Sequence, residues 1–393
     1  AVYDPHFEHF GRYFGNTFAG FFSDEPSFTS DSWNYDSKLG KKNMLIPWSE
    51  SLPEIFTEKA NASIDEIFKL LPLLWAEHGE KKSNIRYVYM DTVSEMYKNN
   101  FSIQIGNWCH ERDVMHIGHG IEDMNAHMRL GYGAGHFFRA MSGQDMSGCD
   151  IVLNQMIPGI KECLHTASVF DNCVDPEFFS YTLAKLASSD AHLDRDKHNR
   201  AFCEIFGAFG WAEGVPMMKL LADHMLVGGI NYFVPHAFDI KYPDPDCPPH
   251  FYAGGNNPQF EYFSKLMRYM QRMSHILSGG IHQTQIAVLY NAEGEWCGGK
   301  YELFQKISKM LLQNQLDFDF VSSDMLCAPC ICNGELIINE TKYKTLIISY
   351  SEILPQSLID HLKCLADSGV DIIFCEEFPQ KSAEGRTIDM KNC

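Results

Sequence analysis

Short apolar runs, each ending in polar or acidic residues and each followed by a stretch of helical spacing, recur along the first 240 or so residues. The first is Phe18-Ala-Gly-Phe-Phe-Ser-Asp-Glu25, and Val114–His119, Asp150–Gln155, Ala201–Glu204 and Gly229–His236 follow. Between them lie segments such as Met217–Leu226, whose apolar positions repeat with helical period. Strands alternating with helices predict a parallel sheet with crossover helices. Polar residues at the C-terminal ends of such strands occupy the place where an α/β barrel builds its site. A complete (β/α)8 barrel needs eight units; five are countable here, and the first strand starts about 17 residues into the chain. The pattern therefore predicts a partial (β/α)8 TIM barrel over residues 1–284, a fragment without its first three units, whose first strand is an edge.

From Gln285 the pattern restarts. Gln285–Tyr290, Phe318–Val321, Thr345–Ser349 and Asp371–Cys375 read as buried strands, with helices over Tyr301–Gln313 and around Ser357–Ser368. This predicts a second, independently packed, doubly wound α/β unit over 285–393, flavodoxin-like or glutamine-amidotransferase-like and truncated at its end. No Gly-x-Gly-x-x-Gly follows its first strand, which speaks against a dinucleotide. Its third strand ends Ser349-Tyr350-Ser351 without a cysteine nucleophile, so the unit reads as non-catalytic.

Charge changes the picture next. With 32 basic and 51 acidic residues the net charge is −19, and no dense Lys/Arg run is present, which disfavours a nucleic-acid partner. No run of about 18 apolar residues appears, so no spanning helix is expected, and the N-terminus shows no signal-peptide pattern. The 13 cysteines are scattered. Their only close cluster, Cys327, Cys330 and Cys332, lacks the second pair of a zinc ribbon, and the thiols point to a reducing compartment.

Two acidic strand ends stand out. In Ser23-Asp24-Glu25-Pro26 the proline ends the ladder and leaves Glu25 at the strand's mouth. The other is Glu204, followed by Gly207-Ala-Phe-Gly-Trp211. Either acid alone reads as a helix N-cap or a solvated residue. A pair facing one cleft is what glycoside hydrolysis requires, one protonating the leaving oxygen and the other attacking or activating water. Adjacent strand residues point to opposite faces, so only one of Asp24 and Glu25 is expected to aim at a substrate. The segment from His116 through His119 and Glu122 to His127 invites zinc, but it has no His-Glu-x-x-His spacing, and substrate contacts are the better reading. Asn154, Gln155 and His236 join that group from other strand ends. Among aromatic residues Trp211 and Trp48 are the best placed to present a face to sugar C–H groups; Trp33, Trp108, Tyr232 and Phe233 are weaker candidates, since most aromatics must be core. A Gly-x-Ser-x-Gly elbow is missing. No organic cofactor is called for, and calcium is the ion that the oxygen-rich ligands leave open.

Four segments carry a resemblance: Phe22-Ser-Asp-Glu-Pro26, Gly118-His119, Glu204 with Gly207–Trp211, and Asn231-Tyr-Phe-Val-Pro-His-Ala-Phe238. Over about residues 1–280 the chain resembles bacterial (β/α)8-barrel glycoside hydrolases near families 2 and 106, the latter α-L-rhamnosidases, within the clan of retaining β-glycosidases. The resemblance implies that Phe18–Glu25 is barrel strand four with Glu25 as acid/base, and that Glu204 ends strand seven as nucleophile or base. It also implies a carbohydrate substrate and a bacterial, cytoplasmic setting. The wider clan usually has Asn-Glu at strand four, and here Asp24 stands in the place that grips the sugar's 2-hydroxyl. The unit after 285 resembles the α/β domain of family 42 β-galactosidases, which is associated with oligomer contacts, and so admits a homo-oligomer. A carbohydrate-binding or assembly protein that kept the barrel without turnover is the other function class left open.

Overall fold

The computed structural model describes residues 2–28, 38–42, 44–79, 81–120, 127–131, 133–159, 175–326, 330–332 and 334–388. Five parallel strands carry the first unit: β1 (Gly20–Asp24), β2 (Met115–His119), β3 (Ser147–Ile151), β4 (Ala201–Ile205) and β5 (Tyr232–Pro235). β1 pairs with β2 from Gly20↔Met115 to Asp24↔His119, and among the described residues β2 is its sole strand partner. β3, β4 and β5 form a second parallel set, with Asp150 opposite Glu204 and Glu204 opposite Val234. The two sets adjoin at β2 and β3, where Asp145 N donates to His116 O at 2.8 Å. Two glycines permit that approach: a Cβ on Gly148 would stand 2.1 Å from the carbonyl oxygen of Gly118.

Helices cross over between the strands. Val215–Val227 buries Met218, Leu221, Ala222, Met225 and Leu226, the helical stripe that the sequence predicts over Met217–Leu226. It stops at Gly228-Gly229, where Gly229 takes φ +98° and the bare Cα of Gly228 lies against Ala184. Leu183–Leu193 packs on β3 and β4 with one side and on the second unit with the other, so nearly all of it is buried.

The second unit is built on a parallel sheet of order β13-β11-β6-β7, comprising β6 (Ile286–Tyr290), β7 (Asp319–Ser322), β11 (Thr345–Ile348) and β13 (Asp371–Phe374). All four expected strands are present. The helix expected from Tyr301 begins at Gln305, because Tyr301 forms a bridge with Ser351. An antiparallel meander of β8 (Cys330–Cys332), β9 (Glu335–Ile338) and β10 (Thr341–Tyr343), and a short pair of β12 (Ile353–Leu354) with β14 (Lys381–Ser382), are additions to the sequence reading. Cys327 lies outside the described residues, while Cys330 and Cys332 bound strand β8.

Alternation along β6 shows how the units meet. Ala287 and Leu289 face a core shared with Leu358, Ile359 and Leu362 of the helix Gln356–Asp367. Val288 and Tyr290 face a larger core that continues through Phe178 and Leu186 to Cys149 and Cys203 of the first sheet. The expectation of an independently packed unit is therefore corrected. One face of the sheet is buried by its own helix Gln356–Asp367, the other by its own helix Gln305–Gln313, through Ile307 and Leu311, together with the first unit. Phe320 N also donates to Ser189 Oγ across this boundary at 2.8 Å. Among the described residues no helix is long and apolar enough to cross a membrane.

Candidate active site

Strand parity decides which side chains meet. Residues in register on parallel strands share a face, so Asp24 and His119 point the same way, as do Asp150 and Glu204. On that face His119, 1% exposed, places Nε2 at 2.9 Å from Glu204 Oε2 and 3.5 Å from Asp24 Oδ1. The ring of Phe22 lies against the His119 imidazole at 5.5 Å, and Phe202 packs at 6.4 Å. These apolar neighbours take water from the imidazole, and the carboxylates replace it.

Glu25 lies just past β1 at φ +44°, outside the extended conformation. That left-handed residue breaks the alternation, so Asp24 and Glu25 both bear on the His119–Glu204 pair. The parity argument that only one of them faces the cleft therefore does not apply at Glu25, whose backbone has left the strand.

The two glutamates are held in opposite protonation tendencies. Glu25 is pushed up to about 7, by desolvation first and then by the negative charges of Asp150, Asp24 and Glu204, against the lowering pull of His119. The residue keeps an open side at the cleft mouth. Burial also acts to raise Glu204, but the hydrogen bond and charge of His119, with the charge of His236, outweigh it and hold Glu204 below the usual carboxylate value. His119 moves the other way, up to about 9: desolvation opposes its charge, and the bond to Glu204 with the charges of Asp150, Glu204 and Glu25 overrides it. The pair is an imidazolium held against a carboxylate. Two glutamates driven apart in this manner form the pattern of an acid with its base or nucleophile.

The remaining predicted residues divide. His236 lies just past β5 and acts on Glu204 through its charge; among the described residues its buried Nδ1 has no partner. Trp211 is 46% exposed and stacks on His250 at 5.6 Å, leaving an aromatic surface to solvent. Asn154 is exposed in the loop after β3, at φ +57°. Gln155 is buried, and its Oε1 accepts from Val152 N at 3.0 Å, so part of its amide is spent on shaping that loop. Trp48 is half exposed and Tyr232, in register with Phe202, is 40% exposed.

His116 does not belong to the cleft. It shares the opposite face of β2 with Gly118, is fully buried, and bonds Ser23 Oγ at 2.9 Å. Burial pushes it down to about 4, with His110 adding to the fall and Asp145 opposing it. His127 is farther away, in the core between the units, stacked on Phe178 and bonded to Tyr290 Oη at 2.7 Å. The three histidines of that segment thus go to three places. Trp108 lies in an aromatic cluster with Tyr3, Phe7 and Phe21 and bonds Asp4. Glu122 and Trp33 lie outside the described residues.

Asp150 is the residue that sequence reasoning missed. It is 3% exposed in the middle of the sheet, and its charge acts on both Glu25 and His119. The available signal was a carboxylate within a strand that is otherwise buried on both faces. Glu213, in the loop that carries Trp211, was also unread: it is 5% exposed, neither oxygen has a partner among the described residues, and burial pushes it up to about 8.

Asp24, His119 and Glu204 each offer a ligand atom within 4.8 Å of the others. With Glu25 and Asp150 the cluster gathers four carboxyl groups around one imidazole, a donor set rich enough in oxygen to fit calcium. His119 is the exception, since its Nε2 already lies between Asp24 and Glu204.

The sequence model of the alpha-L-rhamnosidase family, glycoside hydrolase family 106, matches residues 47–385. The chain belongs to that family. Its members are glycoside hydrolases of TIM-barrel type. The match includes His119, Asp150 and Glu204 and begins after Asp24 and Glu25. No curated protein matches the chain. Among solved structures it is similar to a rhamnosidase from Novosphingobium sp. PP1Y, with 17% identity and TM-score 0.56 over 83% of this chain and 29% of that one. A β-galactosidase from the haloarchaeon Halorubrum lacusprofundi aligns at 13% identity and TM-score 0.59, over 97% of this chain and 56% of that one. An exo-carrageenase of family 42 from Bacteroides ovatus aligns at 11% and 0.58, over 90% and 49%. At these identities the likeness is one of fold, a mixed α/β architecture with parallel sheets. The chain spans under two thirds of each of these relatives.

Proposed function

We propose that this chain carries the catalytic pair of a glycosidase that cleaves a glycosidic bond in an oligo- or polysaccharide, with an α-L-rhamnoside as the substrate class that family membership favours. In this reading the five strands correspond to strands four to eight of a (β/α)8 barrel, and residues 285–393 to a flavodoxin-like unit that follows it. The carrying observation is the opposed tendency of two glutamates on one cleft, Glu25 raised and Glu204 lowered, with His119 bonded to the second.

Glu25, raised to about 7, keeps its proton on the mildly acidic side of neutrality and delivers it to the leaving-group oxygen. Glu204 stays ionised and acts on the far side of the sugar, as nucleophile or as the base that activates water. His119 fixes the Glu204 carboxylate and stabilises its charge. Trp211 and Tyr232 give the sugar apolar faces, while Asp24, Asn154 and His236 supply polar contacts. Calcium, when bound, would be held by Asp24 and Asp150, leaving Glu25 to carry its proton, and would supply neutralising charge and a grip on sugar hydroxyls.

In the full-length protein, Glu25→Gln and Glu204→Gln are each expected to lower turnover of an aryl α-L-rhamnoside by at least about 10²–10⁴-fold, with circular dichroism unchanged. Near-normal turnover in either variant removes that residue from the mechanism. Proton NMR of the first sugar released separates the two roles of Glu204: retention makes it the nucleophile, inversion the base. A binding protein without turnover would retain the glycoside intact in the wild type.

A further inference from the structure

A cavity of about 190 Å³ opens at the boundary between the two units, away from the glutamate cleft. Its walls come from the helix Lys82–Tyr97 on one side and from the end of the helix Ala292–Cys297 on the other. Among the described residues three cations line it, Lys38, Arg86 and Arg129, against a single carboxylate, Glu295. That carboxylate is already engaged by Arg129, whose Nε lies 2.7 Å from Glu295 Oε1.

Arg86 is the decisive residue. It is 5% exposed, so its charge has lost nearly all its water. Nε donates to Leu73 O at 3.2 Å and Nη2 to Ala76 O at 2.6 Å, contacts that orient the guanidinium without neutralising it. Among the described residues no carboxylate lies within ion-pair distance of Arg86. Its Nη1 comes within 2.8 Å of where a side chain at Gly298 would begin, and Gly298 itself lines the cavity at φ +72°. A buried guanidinium is ordinarily paired. Here the chain, despite its overall excess of acidic residues, places two further cations around the same space. Lys38 Nζ donates to Tyr301 Oη at 3.2 Å, which brings a hydroxyl to the rim.

We infer that this cavity is a binding site for a small oxyanion, a phosphate or sulfate group, with Arg86 as its principal ligand and Lys38, Arg129 and Tyr301 in support. Fork geometry suits a guanidinium to tetrahedral oxyanions. The volume is enough for inorganic phosphate or for the charged end of a sugar phosphate or sulfated sugar. Because the walls belong to both units, a bound anion would tie them together and raise thermal stability by mass action.

The test uses the full-length protein at constant ionic strength. Inorganic phosphate and sulfate should each raise the melting temperature in a saturable manner, whereas sodium chloride at matched ionic strength should not. Isothermal titration should return one site, weakened at least tenfold in Arg86→Met. That variant also loses two contacts to backbone carbonyls, so Lys38→Met, in which they are untouched, is the second arm and should weaken binding about threefold or more. Glu204→Gln should bind phosphate as the wild type does. A hexose monophosphate that binds more tightly than inorganic phosphate identifies a sugar phosphate as the source of the group; equal affinity identifies the free anion. An equal response to chloride, or phosphate affinity unchanged in both cavity variants, overturns the site.

Discussion

His119 Nε2 lies 2.9 Å from Glu204 Oε2, and this contact joins the end of β2 to β4 across β3. It divides the acids of the cleft into two kinds. The carboxylate that receives the imidazolium bond is kept ionised, and Glu25, crowded by three like charges, is raised to about 7.

That division predicts the pH profile. The acid form of Glu25 is present below about 7 and is lost as pH rises through that value. The ionised form of Glu204 is lost only below the ordinary carboxylate range, because its folded value is depressed. Log(kcat/KM) should therefore plateau on the mildly acidic side and fall above about 7. A profile still flat at pH 9 would exclude Glu25 as the acid.

Asp150 supplies part of the field that raises Glu25. Asp150→Asn removes that negative charge while keeping the side chain's shape. The alkaline limb of the profile should move to lower pH by up to about one unit. A kcat loss with an unmoved limb would show that Asp150 acts through substrate contact instead.

Arg139 ties the units together. It is 7% exposed, donates from Nε and Nη2 to Asp324 at 2.8 and 2.7 Å, and reaches Asp91 Oδ1 with Nη2 at 2.8 Å. Arg139→Met leaves two acids facing one another and should destabilise by roughly 3 kcal/mol, toward the low end for a broken buried pair because Asp324 is 38% exposed. Urea unfolding monitored by tryptophan fluorescence reads this directly.

Glu213 carries a stability prediction with a definite sign. Its folded value is raised to about 8 from 4.5, so between those pH values the native state holds a proton that the unfolded chain releases. Native stability from this group is present below about 4.5 and declines as pH rises toward 8. Glu213→Gln should therefore change the melting temperature little at pH 4.5 and raise it at pH 8. A melting difference of the same size at both values would show that Glu213 is ionised in the fold.

Much of this arrangement was legible in the chain. The runs appear as strands, most of them within a residue or two, because buried parallel strands read as short apolar runs whatever their neighbours; β3 is displaced, running Ser147–Ile151 where Asp150–Gln155 is expected, and β5 begins three residues after Gly229. Glu25 and Glu204 were visible as acids closing two of those runs. Parity along β2 was visible as well, and it separates His116 from His119; the face on which the acids gather became plain only once Asp24↔His119 and Asp150↔Glu204 were in register. Asp150 escaped because it begins an apolar run and does not end it. The kink at Glu25 escaped because a positive φ at a non-glycine residue has no sequence signature beyond the proline that follows. The meander β8–β10 was lost because strands of three or four residues are too short to show a period.

The helix Leu183–Leu193 is a party wall. One side backs the strands that hold Asp150 and Glu204, and the other receives β7 through Phe320 and Ser189. Neither unit can then be exchanged for a foreign module without exposing an apolar surface and stripping the support from behind the cleft. Evolution on this scaffold is constrained to drift in concert: a volume change in β7 has to be answered in the helix, and through it in the strands that hold the acids.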